Sequence, residues 1–96
     1  MTMNIQQSVQ KLCDVLSQQW AEQHPNSSMN TLTYHLGKKY FKLIQDNSVF
    51  CFIDKDGNVY KPASWKVPAK GIRFHIDQLL EHPQLCDMFG GFLYVR

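Results

Sequence analysis

The sequence predicts an α+β, mainly β fold, an N-terminal amphipathic helix followed by a meander of short strands curled into a small, strongly bent antiparallel sheet or partly open barrel. Three observations predict it. An apolar stripe at helical spacing runs through the first quarter of the chain, two β-rich runs follow with only a turn between them, and Gly, Pro, Asn and Asp break up the rest.

The helix comes first. Ile5, Val9, Leu12, Cys13, Leu16 and Trp20 fall on one stripe of a helix over about 4–23, while its other face is Gln, Ser, Lys and Asp. His24-Pro25-Asn26 ends it, because Pro continues no helix and Asn favours turns. Strands and turns then fill about 31–76. KKYFKLIQ and SVFCFID are separated by Asp46-Asn47, residues that suit a two-residue hairpin turn. That turn sets a register in which Gln45 faces Ser48, Ile44 faces Val49, Leu43 faces Phe50, Lys42 faces Cys51, Phe41 faces Phe52 and Tyr40 faces Ile53. One face then carries Phe41, Leu43, Phe50 and Phe52, and the other Tyr40, Ile44, Val49, Cys51 and Ile53 with Lys42. Both faces are apolar, so the pair asks for cover on both sides. The expectation is a homo-oligomer whose interface includes Tyr40, Ile44, Val49 and Ile53. DKDGN makes the next turn, GIRFHI leads into a short helix over about 77–82 capped by Asp77, and GGFLYVR ends the chain as a strand over about 92–96.

With 96 residues the chain is expected to be a single domain, 1–96, with its own core. A polar start without an apolar leader, and the absence of an eighteen-residue apolar run, point to no membrane and a cytoplasmic protein. Three cysteines, none in a CxxC and all among apolar neighbours, read as reduced buried thiols. DKDGN fails as a calcium loop, since Gly57 is fourth from Asp54 and the twelfth position is Trp65. His82 and Cys86 alone have ligand-like spacing and lack two further ligands, so no metal is expected. GxSxG, GxxxxGK[ST] and GxGxxG are missing, and with them any pointer to an enzyme or a cofactor.

What remains is a charge asymmetry. The net charge of +2 hides a middle section, residues 29–76, with eight cations against three acids, between acidic flanks. Within it VYKPASWKVPAKGIRF, residues 59–74, holds four cations and no acid. Lys61, Lys66, Lys70 and Arg73 suit the neutralisation of phosphates, and Tyr60, Trp65 and Phe74 offer faces on which unpaired bases stack. Trp65 has two readings, a plug at the end of the core or a stacking platform.

NSVFCFIDKDGNVYKPASWKVPAKGIRFHI and the terminal GGFLYVR resemble a family of small proteins of marine metagenomes and cyanophages with the signature VYKPASWK-x-PAKG. The likeness spans about residues 38–96. The family is of unknown function, and the resemblance implies an Sm-like fold: a short N-terminal helix, a strongly bent five-stranded antiparallel barrel, assembly into a ring, and binding of single-stranded RNA or DNA. It also places the protein in the host cytoplasm of a phage. The Asp and Asn of the first Sm motif and the Arg-Gly of the second have no counterpart here, where Gly71 precedes Arg73, so the ribonucleotide pocket of Sm proteins is not carried over. Two functions are therefore expected to compete: a non-enzymatic nucleic-acid-binding ring, with Lys61, Trp65, Lys66, Lys70 and Arg73 at the site, and an oligomeric structural or adaptor protein that binds another protein.

Overall fold

The computed structural model describes residues 4–26, 31–45 and 48–86. Helix α1 (Ile5–Gln23) precedes five strands, β1 (Leu32–Leu36), β2 (Tyr40–Gln45), β3 (Ser48–Asp54), β4 (Asn58–Tyr60) and β5 (Phe74–His75), and a short helix α2 (Ile76–Glu81) leads into a 3₁₀ turn at Pro83–Leu85. The strands form one antiparallel sheet in the order β1-β2-β3-β4-β5. It is an open sheet and not a closed barrel. With three residues in β4 and two in β5, its far side is too short for the tilt and stagger that bring first and last strands together. The strand expected at 92–96 and the hairpin turn at 46–47 lie outside the described residues.

α1 forms as its stripe dictates. Val9, Leu12, Cys13, Leu16 and Trp20 are buried, and Asn4 and Gln7 close a reciprocal capping box with bonds of 2.8 and 3.1 Å. The helix covers one face of the sheet and is tied both to β1 and to the end of the 3₁₀ turn. The Leu32 amide donates to Ser17 Oγ at 2.8 Å, and the Trp20 indole donates to the Cys86 carbonyl at 3.0 Å. Trp20 also meets Phe50, their ring centroids 5.1 Å apart.

The β2–β3 register starts as expected, with Gln45 opposite Ser48 and Ile44 opposite Val49, and then slips. Leu43 faces Cys51, Lys42 faces Phe52, Phe41 faces Ile53 and Tyr40 faces Asp54. β3 contains one residue more than β2, a bulge at Phe50, and side chains beyond a one-residue slip change faces. Phe50 and Cys51 therefore both enter the core, and Cys51 and Ile53 join Phe41, Leu43 and Val59 beneath α1. Ile53 is 0% exposed, a core residue rather than part of an outer apolar patch. Phe52 moves to the opposite, outer face.

α2 begins one residue earlier than the spacing suggested. Its cap is His75 instead of Asp77: His75 Nδ1 accepts from the Asp77 amide at 3.2 Å, and the His75 amide donates to Gln78 Oε1 at 2.8 Å. The β3–β4 turn docks against this cap. The Ile76 amide donates to the Gly57 carbonyl at 2.8 Å, and His75 Nε2 lies 3.0 Å from the Asp56 carbonyl. Gly57 sits at φ 91°, and a Cβ there would stand 2.9 Å from His75 Nε2 and 3.0 Å from Ile76 Cγ2. Gly71 sits at φ 96° with open space around it.

The two glycines make a controlled comparison. Gly71→Ala should cost only the left-handed backbone strain, about 1–2 kcal/mol. Gly57→Ala should cost that and the displacement of the α2 cap, giving the larger drop in urea midpoint; equal shifts would show that the turn does not depend on its contact with α2.

Candidate nucleic-acid interface

The acid-free stretch folds into a miniature hairpin. Pro62 and Pro68 face each other in a β-bridge, and because neither has an N–H the donors come from their neighbours: the Ala69 amide bonds the Lys61 carbonyl at 2.8 Å and the Ala63 amide bonds the Val67 carbonyl at 3.0 Å. A bond from the Lys66 amide to Ser64 Oγ, 3.3 Å, tightens the tip. This hairpin folds back over the outer face of the sheet, where Lys42 Nζ stands 4.4 Å from the centroid of the Trp65 ring. Trp65 is 49% exposed, so it is a surface residue and not a core plug.

Between the hairpin tip and the β1–β2 turn lies a pocket of about 260 Å³, lined by His35, Gly37, Lys38, Lys39, Tyr40, Lys42, Phe52 and Lys66. Each wall has a local cause. The Gly37 amide donates to the Tyr40 carbonyl at 2.9 Å, a tight turn that projects Lys38 and Lys39 from its end. The strand register places His35 beside Lys42 and Lys42 beside Phe52, so these three form one row across the outer face. Phe52 and Tyr60 both meet Tyr40 edge-on, with centroids 6.0 and 5.8 Å away, which fixes the aromatic floor. Four lysines thus border one pocket that no acid lines, and among the described residues none of them is in a salt bridge.

Asp54, opposite Tyr40 in the β2–β3 register, is otherwise engaged. Its carboxylate accepts from the Asp56 and Asn58 amides (2.9 Å each), Asn58 Nδ2 (3.1 Å) and the Tyr60 hydroxyl (2.9 Å). Partial burial pushes its pKa up, but these bonds outweigh burial and hold it below the ordinary carboxylate value. The same bond raises the Tyr60 phenol. Among titratable groups elsewhere, burial and then the Asp14 charge push the Cys13 thiol up to about 12, and burial pushes Cys51 well above its ordinary range. With Cys86 also buried, none of the three thiols is a reactive surface group.

Of the five residues expected at a nucleic-acid site, the structure brings Lys66 into the pocket and Trp65 to its rim, over Lys42. Lys61 and Arg73 are half-buried and Lys70 is exposed, and none of these lines the pocket. Phe74 packs against the core instead of offering a stacking face. Tyr40, Ile44 and Val49 are half-buried, the first as a wall of the pocket. Sequence reasoning missed Lys38, Lys39, Lys42, His35 and Phe52 as site residues. The one signal for them was the Lys-Lys pair directly after Gly37, a basic turn tip; for Phe52 the bulge concealed even the correct face.

Asp54→Ala should destabilise the protein by about 1–3 kcal/mol at pH 7, the loss of charge-assisted bonds. Because the native pKa is depressed, that contribution is present above the unfolded value near 3.9 and is lost as pH falls through the native value. The gap between variant and parent in denaturant midpoints should therefore close in acid. Trp65→Ala should shift stability by less than about 1 kcal/mol, while Trp20→Ala costs roughly 3–5 kcal/mol.

No helix of the described residues is long and apolar enough to cross a membrane. Among them, too, no group of three or more His, Cys, Asp and Glu side chains is arranged to hold a metal ion. No curated protein and no solved structure matches the chain. Residues 1–95, nearly the whole length, match the family of unknown function DUF7717, and the chain belongs to that family.

Proposed function

We propose that this protein is a non-enzymatic module that binds single-stranded RNA or DNA with low sequence preference. One observation carries the proposal: four lysines converge on an acid-free pocket with an aromatic floor, beside a half-exposed tryptophan. Ammonium groups attract phosphates whatever the base, and every base has a face to stack on an indole, so the combination recognises a strand without reading its sequence. Self-assembly belongs to the same proposal, in the Sm-like ring form that the sequence resemblance implies. Several copies of a weak site on one strand raise avidity beyond the affinity of one copy. In support, Ile44 and Val49 keep part of their surface on the outer face.

Anisotropy titration of a labelled single strand across a salt series tests the binding. Four counterions released by four lysines give a log–log slope of about −3, and Lys38→Gln with Lys66→Gln should bring it to about −1.5. Lys11→Glu, on the exposed face of α1, should leave binding unchanged. A strand that stays unbound at low salt would overturn the reading in favour of an adaptor for a protein partner. Sedimentation of the parent protein tests assembly, with a closed oligomer expected and a stable monomer as the contrary result.

A further inference from the structure

We infer that the pocket between the β1–β2 turn and the 61–69 hairpin receives a terminal phosphomonoester of a nucleotide, with the adjoining base stacked on Trp65. The inference rests on the nucleic-acid reading of this site and specifies which part of the strand enters it.

Charge density is the first argument. An internal phosphodiester brings a single negative charge, whereas a phosphomonoester carries about −1.5 to −2 at pH 7 and presents three strong acceptor oxygens. Lys38, Lys39, Lys42 and Lys66 surround one pocket without an acid among its lining residues, more positive charge than one diester balances. Each ammonium is a point charge with rotatable donors, suited to a terminal group approached from several sides.

Size and shape are the second. A pocket of about 260 Å³ matches the size of one nucleotide-sized group. Different parts of the chain line it, Gly37–Lys39 from the β1–β2 turn and Lys66 from the 61–69 hairpin. The aromatic contacts of Tyr40 with Phe52 and Tyr60 hold the floor in place. Trp65 stands at the rim with Lys42 against its ring and about half its surface open, which leaves room for a base to stack there.

The test compares one labelled oligonucleotide in three forms, with hydroxyl ends, with a 5′-phosphate and with a 3′-phosphate, and adds a free nucleoside 5′-monophosphate. Anisotropy gives affinity, and tryptophan fluorescence reports stacking, since Trp20 is 0% exposed and hydrogen-bonded and Trp65 is the accessible indole. One phosphorylated end should bind about tenfold more tightly than the hydroxyl form and quench Trp65. Lys38→Gln with Lys66→Gln should remove that increment and return the phosphorylated strand to the affinity of the hydroxyl strand. If the three strands bind alike, the inference is overturned while the nucleic-acid reading stands. If the free monophosphate binds and quenches Trp65 but no strand does, the phosphomonoester pocket is supported and the strand reading falls. If nothing binds, both fall together.

Discussion

The bulge at Phe50 is the constraint on which the rest of the structure depends. A continuous β2–β3 register would place Phe50 and Phe52 on one face and Cys51 and Ile53 on the other, leaving both faces of the central hairpin apolar. One extra residue in β3 resolves the conflict. Phe50 stays inside, against Trp20; Cys51 and Ile53 turn inward to join the core beneath α1; and Phe52 turns outward. The inner face becomes wholly apolar apart from Gln45, and α1 covers it with a stripe of matching length. A bulge also increases local twist, in keeping with a sheet that ends in short strands instead of a broad flat edge.

The outward turn of Phe52 creates a second requirement, because an aromatic ring on the outer face needs cover. Tyr40 and Tyr60 meet it edge-on or across a shared neighbour, and the 61–69 hairpin folds back on the same face. Phe52 is consequently only 2% exposed although it lies outside the main core. The hairpin is stiff for reasons internal to it: two prolines with fixed φ, and a ladder carried by the amides beside them. Covering Phe52 and gathering the lysines are therefore one structural event. The segment that shields the ring also brings Lys66 opposite Lys38 and Lys39, and Trp65 against Lys42.

That gathering has an electrostatic cost. Like charges around one pocket repel, and no acid lines the pocket to offset them, since Asp54 spends its carboxylate on the turn that orders β4. Exposure to water and ions keeps the repulsion small, and the Trp65 ring lowers it further by holding the Lys42 ammonium. In the proposed function, a phosphate group in the pocket offsets it.

By itself the sequence determined what depends on local spacing. The α1 stripe from Val9 to Trp20, the break at His24-Pro25, the turn at Asp54–Asn58, the existence of β2 and β3 and the short helix near residue 77 all follow from periodicities or turn chemistry within a few residues. The chain's basic middle section was also legible, and with it Lys66 and Trp65. The tertiary structure decided everything that required a comparison between distant residues. The register slip leaves Phe50 against Trp20, some thirty residues away, turns Cys51 inward beneath α1, and moved Ile53 from an expected interface into the core. The cap of α2 went to His75 because Gly57 approaches it from another turn. The pocket joins Lys38 and Lys39 to Lys66 across more than twenty-five residues, and the sheet stays open because β4 and β5 are short. Spacing along a chain records which side chains share a helix face or a strand face. It carries no record of where a bulge reverses those faces, nor of which loop closes over them, because both are set by packing in three dimensions.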